Sequence, residues 1–167
     1  MSFRYSLKEL FDLTQIQELL DDYHRSSGIT VGLFDNEQRE LAFAGWQPLC
    51  TKFHRAHPQT LVRCERSISC FPLGITEGRL PECRCENLLN NVAVPIIVSG
   101  ERLGTLVIAQ FLYDDRERVE EEFIKQAEEF NLDKEDYLAE LAKVPRLSRA
   151  VVQSAVSHFS KLMQILT

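Results

Sequence analysis

The groups in this chain best suited to chemistry are five cysteines, which fall within about a quarter of its length. They are Cys50, Cys64, Cys70, Cys83 and Cys85. Cys50 and His54 stand four residues apart, so a helix there would place both side chains on one face, about 6 Å apart at Cβ. Cys83 and Cys85 would share one face of a strand. Thiolate and imidazole groups from separate elements can together close a tetrahedral metal site.

Three interpretations of the cysteines stay open at the level of sequence. The first is a bound metal ion or cluster, although neither repeated C-x2-C nor C-x2-C with H-x3-H is present. The second is a pocket lined by reduced cysteines, because free cysteine behaves as a small buried hydrophobe. The third, a disulfide framework, is disfavoured by the odd count and by the close spacing of Cys83 and Cys85. A Cys50–His54 nucleophile and base is conceivable, but such pairs are more often incidental, and we expect no enzymatic activity.

The composition predicts one soluble globular domain. The chain has 167 residues, of which 44% are hydrophobic and 26% charged, and this length can bury a sizeable core. Its apolar runs are too short to span a bilayer, and its first residues lack a signal-peptide core. A net charge of −6 argues against a general nucleic-acid binder. We therefore expect a cytoplasmic protein without membrane contact, in which the basic stretch 52–66 is a solvated surface or attracts an anion.

Hydrophobic periodicity predicts a helix and a hairpin in the first part of the chain. Apolar residues recur at intervals of three and four between 13 and 23, which indicates an amphipathic helix that Gly28 ends. Two strand-like runs, 29–34 and 40–45, flank a turn-forming DNE sequence. A helix is predicted for 49–77, with a break near Pro58, because the residue before a proline avoids the α region.

The second half begins with the clearest hairpin of the sequence. Strands at 91–98 and 102–111 flank a Ser-Gly turn, and the rest of the chain is helical. The last helix carries an apolar stripe within 148–167 that either packs on its own domain or pairs two copies as a homodimer. The economical arrangement is an α+β fold with an antiparallel sheet of about five strands, flanking helices and a long C-terminal helix. Nucleotide-binding and hydrolase motifs are lacking.

Four stretches, which together cover almost the whole chain, resemble one known family. They are FDLTQIQELLDDYHRSSGI near the start, CTKFHRAHPQTLVRCERS at 50–67, RCENLLNNVAVPIIVSGERLGTLVIAQF at 84–111 and FIKQAEEFNLDKEDYLAELAKVPRLSR at 123–149. The family is the PocR sensory domain, a ligand-binding module of bacterial and archaeal histidine kinases and transcription regulators. The resemblance implies a PAS/GAF-like fold, no catalytic residues and a small organic ligand, with simple hydrocarbon derivatives such as diols as the usual expectation.

The resemblance also implies a set of functional residues. The family pattern retains cysteine at Cys50, Cys64 and Cys85 and, in this subgroup, histidine at His54. These four are the predicted constellation and the candidate ligands of zinc or an iron–sulfur cluster. The chain departs from the pattern where an acidic residue is missing after Ser67 and where ENLLN replaces a glycine-containing turn, so the family's usual ligand does not transfer directly.

A site for a small molecule needs an apolar enclosure with a few convergent polar groups. The predicted walls are Trp46, Phe43, Phe53 and Phe111, with Asn87 and Gln110 as polar contacts. Each of these aromatic residues could equally be ordinary core, and Asn87 could be only a turn former.

The residues and the resemblance together predict a single sensory domain over 1–167. It would comprise a helical lead-in at 1–28, a sheet with inserted cysteine-rich helices at 29–111 and C-terminal helices at 112–167. A small organic ligand, with or without a Cys/His-bound metal, would shift the terminal helices and so signal to an output kinase or regulator domain. The alternative is a metal or iron–sulfur module for redox sensing.

Overall fold

A computed structural model of the chain describes residues 5–68 and 82–166. The last part of the helix predicted for 49–77 and Cys70 lie outside these residues. None of the described helices is long and apolar enough to cross a membrane.

A mostly antiparallel, six-stranded sheet forms the centre of the fold. Its strands are β1 (Thr30–Asp35), β2 (Glu40–Ala44), β3 (Glu82–Arg84), β4 (Asn90–Val98), β5 (Glu101–Tyr113) and β6 (Arg146–Leu147). The strand order is β2-β1-β5-β4-β3, and the short β6 runs parallel to the end of β5. The predicted antiparallel sheet and the α+β class are thus confirmed, whereas the two-residue β6 was not predicted.

Within the described part of the chain, six α-helices and one π-helix surround the sheet. They are α1 (Leu7–Leu10), α2 (Leu13–Ser27), the π-helix (Leu49–His54), α3 (Pro58–Ile68), α4 (Val119–Glu129), α5 (Lys134–Leu141) and α6 (Arg149–Leu166). The Asp12 carboxylate accepts the backbone N–H groups of Thr14 and Gln15 and so caps α2. Gly28 ends that helix with a φ of 72°, a left-handed conformation that glycine adopts without strain. The predicted long C-terminal helix is α6.

The π-helix lies where the sequence predicts an ordinary helix. The carbonyl of Cys50 accepts the N–H of Arg55 at 2.8 Å, a bond that spans five residues instead of four. The predicted break is correct, because α3 begins at Pro58. Turns of this kind occur frequently at functional sites.

One face of the sheet forms the first core with α2 and α6. Alternate residues of the strands point into it, among them Val31 of β1 and Leu106 and Ile108 of β5. From α6, Val152 and Phe159 are buried against them. The apolar stripe of the last helix therefore packs on its own domain. The homodimer through 148–167 stays a prediction, but Val152 and Phe159 of the stripe are already buried within the single chain.

A second core lies beside the end of the sheet and positions the π-helix. It is built around Leu49 of the π-helix, Leu112 of β5, Phe123 of α4 and Tyr137 of α5, all of which are almost completely buried. By packing the π-helix against α4 and α5, this core fixes the direction in which each π-helix side chain points.

Candidate functional site

A cavity of about 270 Å³ lies against the sheet face that is opposite the first core. Strands β1, β2 and β5 contribute Phe34, Phe43 and Val107, and the π-helix and α3 contribute Cys50 and Cys64. These sheet residues alternate along their strands with those that face α6, as the pleat requires. The volume is near the lower end of the range found for small-molecule sites.

Aromatic rings form one wall of this cavity. The Phe43 ring stacks on Trp46 with centroids 4.1 Å apart, and Phe34 meets Phe43 edge to face at 6.3 Å. The Arg55 guanidinium lies 4.7 Å from the centroid of the Trp46 ring, a cation–π contact. Phe43 fits because its sheet neighbour is Gly32, where a Cβ would overlap the ring. The absence of one side chain therefore sets the position of the wall.

Three free cysteines from separate elements line the same cavity. They are Cys50 of the π-helix, Cys64 of α3 and Cys85 of the turn after β3. The side-chain amide of Asn87 donates to Cys64 Sγ at 3.0 Å, and the N–H of Leu89 donates to Cys85 Sγ at 3.3 Å. The structure thus brings together the three cysteines that the resemblance singled out.

Cys83 corrects the expectation that disulfides are disfavoured. It is disulfide-bonded and is therefore not one of the free thiols. The expectation rested on the odd number of cysteines and on the spacing of Cys83 and Cys85, and neither of these excludes a bond from Cys83 to another cysteine. Cys85 remains free and lines the cavity.

Burial keeps the cavity thiols protonated. Desolvation strongly raises the pKa of Cys50, and the neighbouring Cys85 and Cys64 raise it further. It also raises the pKa of Cys85 to about 11 and that of Cys64 above its usual value, although hydrogen bonds to each sulfur oppose the change. Because the thiolate is the nucleophile and the metal ligand, these groups act at neutral pH as small, weakly polar wall atoms.

His54 points into the second core and does not line the cavity. It is completely buried, and its Nε2 lies 2.7 Å from the Tyr137 hydroxyl. Gln126 Nε2 donates to the same hydroxyl at 2.8 Å, so that Tyr137 O–H donates in turn to His54 Nε2. Burial lowers the pKa of His54 to about 4, which makes it neutral at pH 7. Its Nδ1 has no hydrogen-bond partner among the described residues.

This arrangement gives the predicted metal centre little support. With His54 bound to Tyr137, three of the four predicted ligands share the cavity and the fourth does not. Within 5–68 and 82–166, no group of three or more His, Cys, Asp or Glu side chains is placed so that it could hold a metal ion. The zinc or iron–sulfur site at Cys50, His54, Cys64 and Cys85 therefore stays a prediction.

The chain matches one family model over almost its whole length. The family model described as the sensory domain found in PocR matches residues 9–167. The chain belongs to the PocR sensory domain family. The resemblance noted in the sequence is thereby confirmed, and neither a curated protein nor a solved structure matches the chain.

Two of the four predicted ligand-binding residues line the cavity of this PocR domain. Trp46 and Gln110 do so, whereas Phe53 packs edge to face on Tyr137 in the second core, with centroids 5.2 Å apart. Asn87 is completely buried behind the thiols, where its amide donates to the Thr60 carbonyl at 2.8 Å. Asn87 therefore joins α3 to the turn after β3 and supports the cavity from outside. Phe111, a predicted wall, lies in the first core.

Sequence reasoning missed several polar groups of the PocR cavity. Asn91 lines it and accepts the backbone N–H of Gln110 at 3.2 Å through its side-chain oxygen. Arg55 and Glu40 lie on the wall with exposed side chains, and so mark its rim. The basic stretch 52–66 was the available signal for Arg55, but charge patterning alone does not separate a rim residue from a solvated one.

Proposed function

We propose that this PocR domain senses a small organic molecule that binds between the sheet, the π-helix and α3. The observation that carries the proposal is the cavity, whose wall of aromatic and aliphatic side chains with a few polar groups is the composition expected of such a site. Membership in a sensory-domain family agrees with this role. In this proposal the cavity thiols, which burial keeps neutral, take part in no reaction.

Strand β5 offers a route from the ligand to the C-terminal helix. Val107 and Ala109 face the cavity, and their neighbours Leu106 and Ile108 pack in the first core below α6. A ligand that displaces β5 would therefore alter the surface on which α6 rests. Signalling further requires that the ligand binds one arrangement of α6 more tightly than the other. We propose that α6 passes this change to an output kinase or regulator domain.

The single tryptophan of the chain allows a direct test. Because the Trp46 ring is part of the cavity wall, between Phe43 and Arg55, a ligand that enters should change its fluorescence intensity or emission maximum saturably. A panel of small ketones, acids and alcohols can be titrated against the purified domain, with calorimetry as a second measurement of binding.

The control for this titration is Trp46→Phe, which keeps an aromatic wall but removes the emission. Calorimetry should still detect binding by this variant. Saturable heat release in the unmodified protein without any change in Trp46 emission would place the ligand outside the cavity and contradict the proposal.

A thiol-held metal ion is the alternative function. It is favoured by the N–H groups that point at Cys64 Sγ and Cys85 Sγ, since such donors stabilise thiolates. It is opposed by the geometry, because His54 is turned away from the thiols and no group of three or more His, Cys, Asp or Glu side chains among the described residues is placed to hold a metal ion. We expect metal analysis of protein purified anaerobically and without chelator to give far less than one zinc or iron per chain. A near-stoichiometric metal that is lost in Cys64→Ser would replace the proposal by the alternative.

A further inference from the structure

The side-chain amide of Gln110 places a hydrogen-bond donor at the surface of the cavity. Gln110 is only 7% exposed and lines the cavity. Its Oε1 accepts the backbone N–H of Gln47 at 2.7 Å, so an amide flip would set two donors against each other. Its Nε2 makes no hydrogen bond among the described residues. Nε2 is also not among the fully buried atoms without a partner, so it reaches the open space of the cavity, where a ligand that displaces water must supply an acceptor in its place.

The other polar groups inside the cavity are already bonded or are donors. Asn91 uses its side-chain oxygen for Gln110 N–H and its NH2 for backbone carbonyls. The Ser67 hydroxyl donates to the Arg63 carbonyl at 2.7 Å and accepts the N–H of Glu86 at 2.9 Å. The remaining polar atoms are thiols, which are weak donors and weak acceptors. Among the described lining residues, the side-chain oxygens without a hydrogen bond are those of Gln38 and Glu40, which are exposed at the rim. In the interior, the amide oxygens of Asn91 and Gln110 each already accept one hydrogen bond.

The Arg55 guanidinium places a positive charge at the rim of the cavity. Arg55 has five donors and no acceptor. It forms no direct ion pair with the described residues, although its charge interacts with the Glu40 carboxylate on the same rim. The carboxylate of Glu40 also lies on the rim, exposed to solvent. An anionic group that approaches the Trp46 wall would therefore find the Arg55 charge next to it.

We propose that the cavity selects small apolar molecules that carry an acceptor-only oxygen, a ketone or a carboxylate, over the corresponding alcohols. The ligand oxygen accepts the Gln110 Nε2–H, and Arg55 adds affinity for carboxylates. An alcohol can accept the same bond, but its own O–H is then left in the interior without a strong acceptor. This inference rests on the proposed function and names its ligand class.

The test uses matched probes on the purified chain. The aromatic set is acetophenone, benzoate and 1-phenylethanol, and the aliphatic set is 2-butanone, butanoate and 2-butanol. Trp46 fluorescence and calorimetry give the dissociation constant of each compound. In at least one set, the ketone and the carboxylate should bind about tenfold or more tightly than the alcohol, because an unpaired buried hydroxyl is costly. In Gln110→Met, the ratio of ketone to alcohol affinity should fall close to one. Because both affinities are measured on the same variant, a substitution that weakens the binding of every compound equally would leave this ratio unchanged.

Arg55→Gln provides a second variant at an exposed position. It should weaken benzoate binding about threefold or more and leave acetophenone unchanged, as expected for a partly screened charge. Arg25→Gln, which removes an exposed arginine of α2, is its matched control and should change neither probe. Alcohols that bind as tightly as ketones would overturn this inference and leave the proposed function in place. Failure of every probe to bind would count against both.

Discussion

The free energy of unfolding is expected to fall by about 3 kcal/mol more in the unmodified protein than in His54→Gln when the pH is lowered from 7 to 4. In the folded chain, burial lowers the pKa of His54 to about 4, whereas the unfolded chain binds this proton with the usual value of 6.5. Below pH 6.5 the unfolded state therefore binds more protons, and acid favours it. The stabilisation is complete above that pH and is lost as the pH falls towards 4.

Urea denaturation at a series of pH values measures this effect, and the comparison of variants isolates it from the carboxylates that titrate in the same range. Glutamine retains hydrogen-bonding capacity towards Tyr137 without a titrating proton. His158→Gln makes the same substitution at an exposed position of α6 and serves as the control for it. Equal pH dependence in the unmodified protein and His54→Gln would show that the folded protein does not keep His54 neutral.

Tyr137→Phe should lower the free energy of unfolding by about 2 kcal/mol at pH 7. The substitution preserves the ring, which packs against Phe53 and Phe123, and removes only the hydroxyl. That hydroxyl is bonded to His54 Nε2 and Gln126 Nε2, and both of these groups are buried. Each loses this partner in a site without solvent, and only their mutual contact of 3.2 Å remains. Chemical denaturation with two spectroscopic signals is the measurement.

A double-mutant cycle shows whether the loss comes from this hydrogen-bond network. Gln126→Met removes the second donor, and the double variant should be more stable than the sum of the single effects predicts, because fewer unpaired groups remain. Strict additivity would mean that the Tyr137 hydroxyl and Gln126 do not interact in solution. A loss below about 0.5 kcal/mol in Tyr137→Phe alone would contradict the assigned bonds.

The fold could largely be predicted because its signals are local. Strand alternation in β4 and β5, the Ser99-Gly100 turn between them and the helical spacing up to Gly28 all reflect short-range geometry. The parallel pairing of β6 could not be found this way. It has only two residues and depends on where α5 places the chain, which no periodicity encodes.

The candidate site was predicted in part, and the π-helix explains much of the difference. Cys50 and His54 would share one helical face, yet packing of Tyr137 and Gln126 takes His54 into the second core while Cys50 stays at the cavity. A π-turn is rare and differs from an α-turn by its i→i+5 hydrogen bond, which the spacing of apolar residues does not predict. The choice between them is made by tertiary contacts with α4 and α5.

The predicted polar contacts show the same limit. Gln110 and Asn87 both fall in or next to strand-like segments, and either could face the cavity. The Gln110 backbone has a positive φ of 56°, so the strict alternation of side chains along β5 does not hold there. Asn87 is held behind the wall by its bond to the Thr60 carbonyl. Both outcomes depend on backbone detail that composition and spacing do not contain.

Gly32 has a consequence for which molecules the domain can admit. Its missing side chain lets Phe43 lie against β1, and Phe43 in turn supports Trp46. The size of the cavity thus depends on Gly32, which lies behind the aromatic wall and need not contact a ligand. A single methyl group added there would overlap the Phe43 ring, so Phe43 and the Trp46 ring stacked on it would have to move. The size of the cavity can thus be changed at a position that carries none of its polar groups.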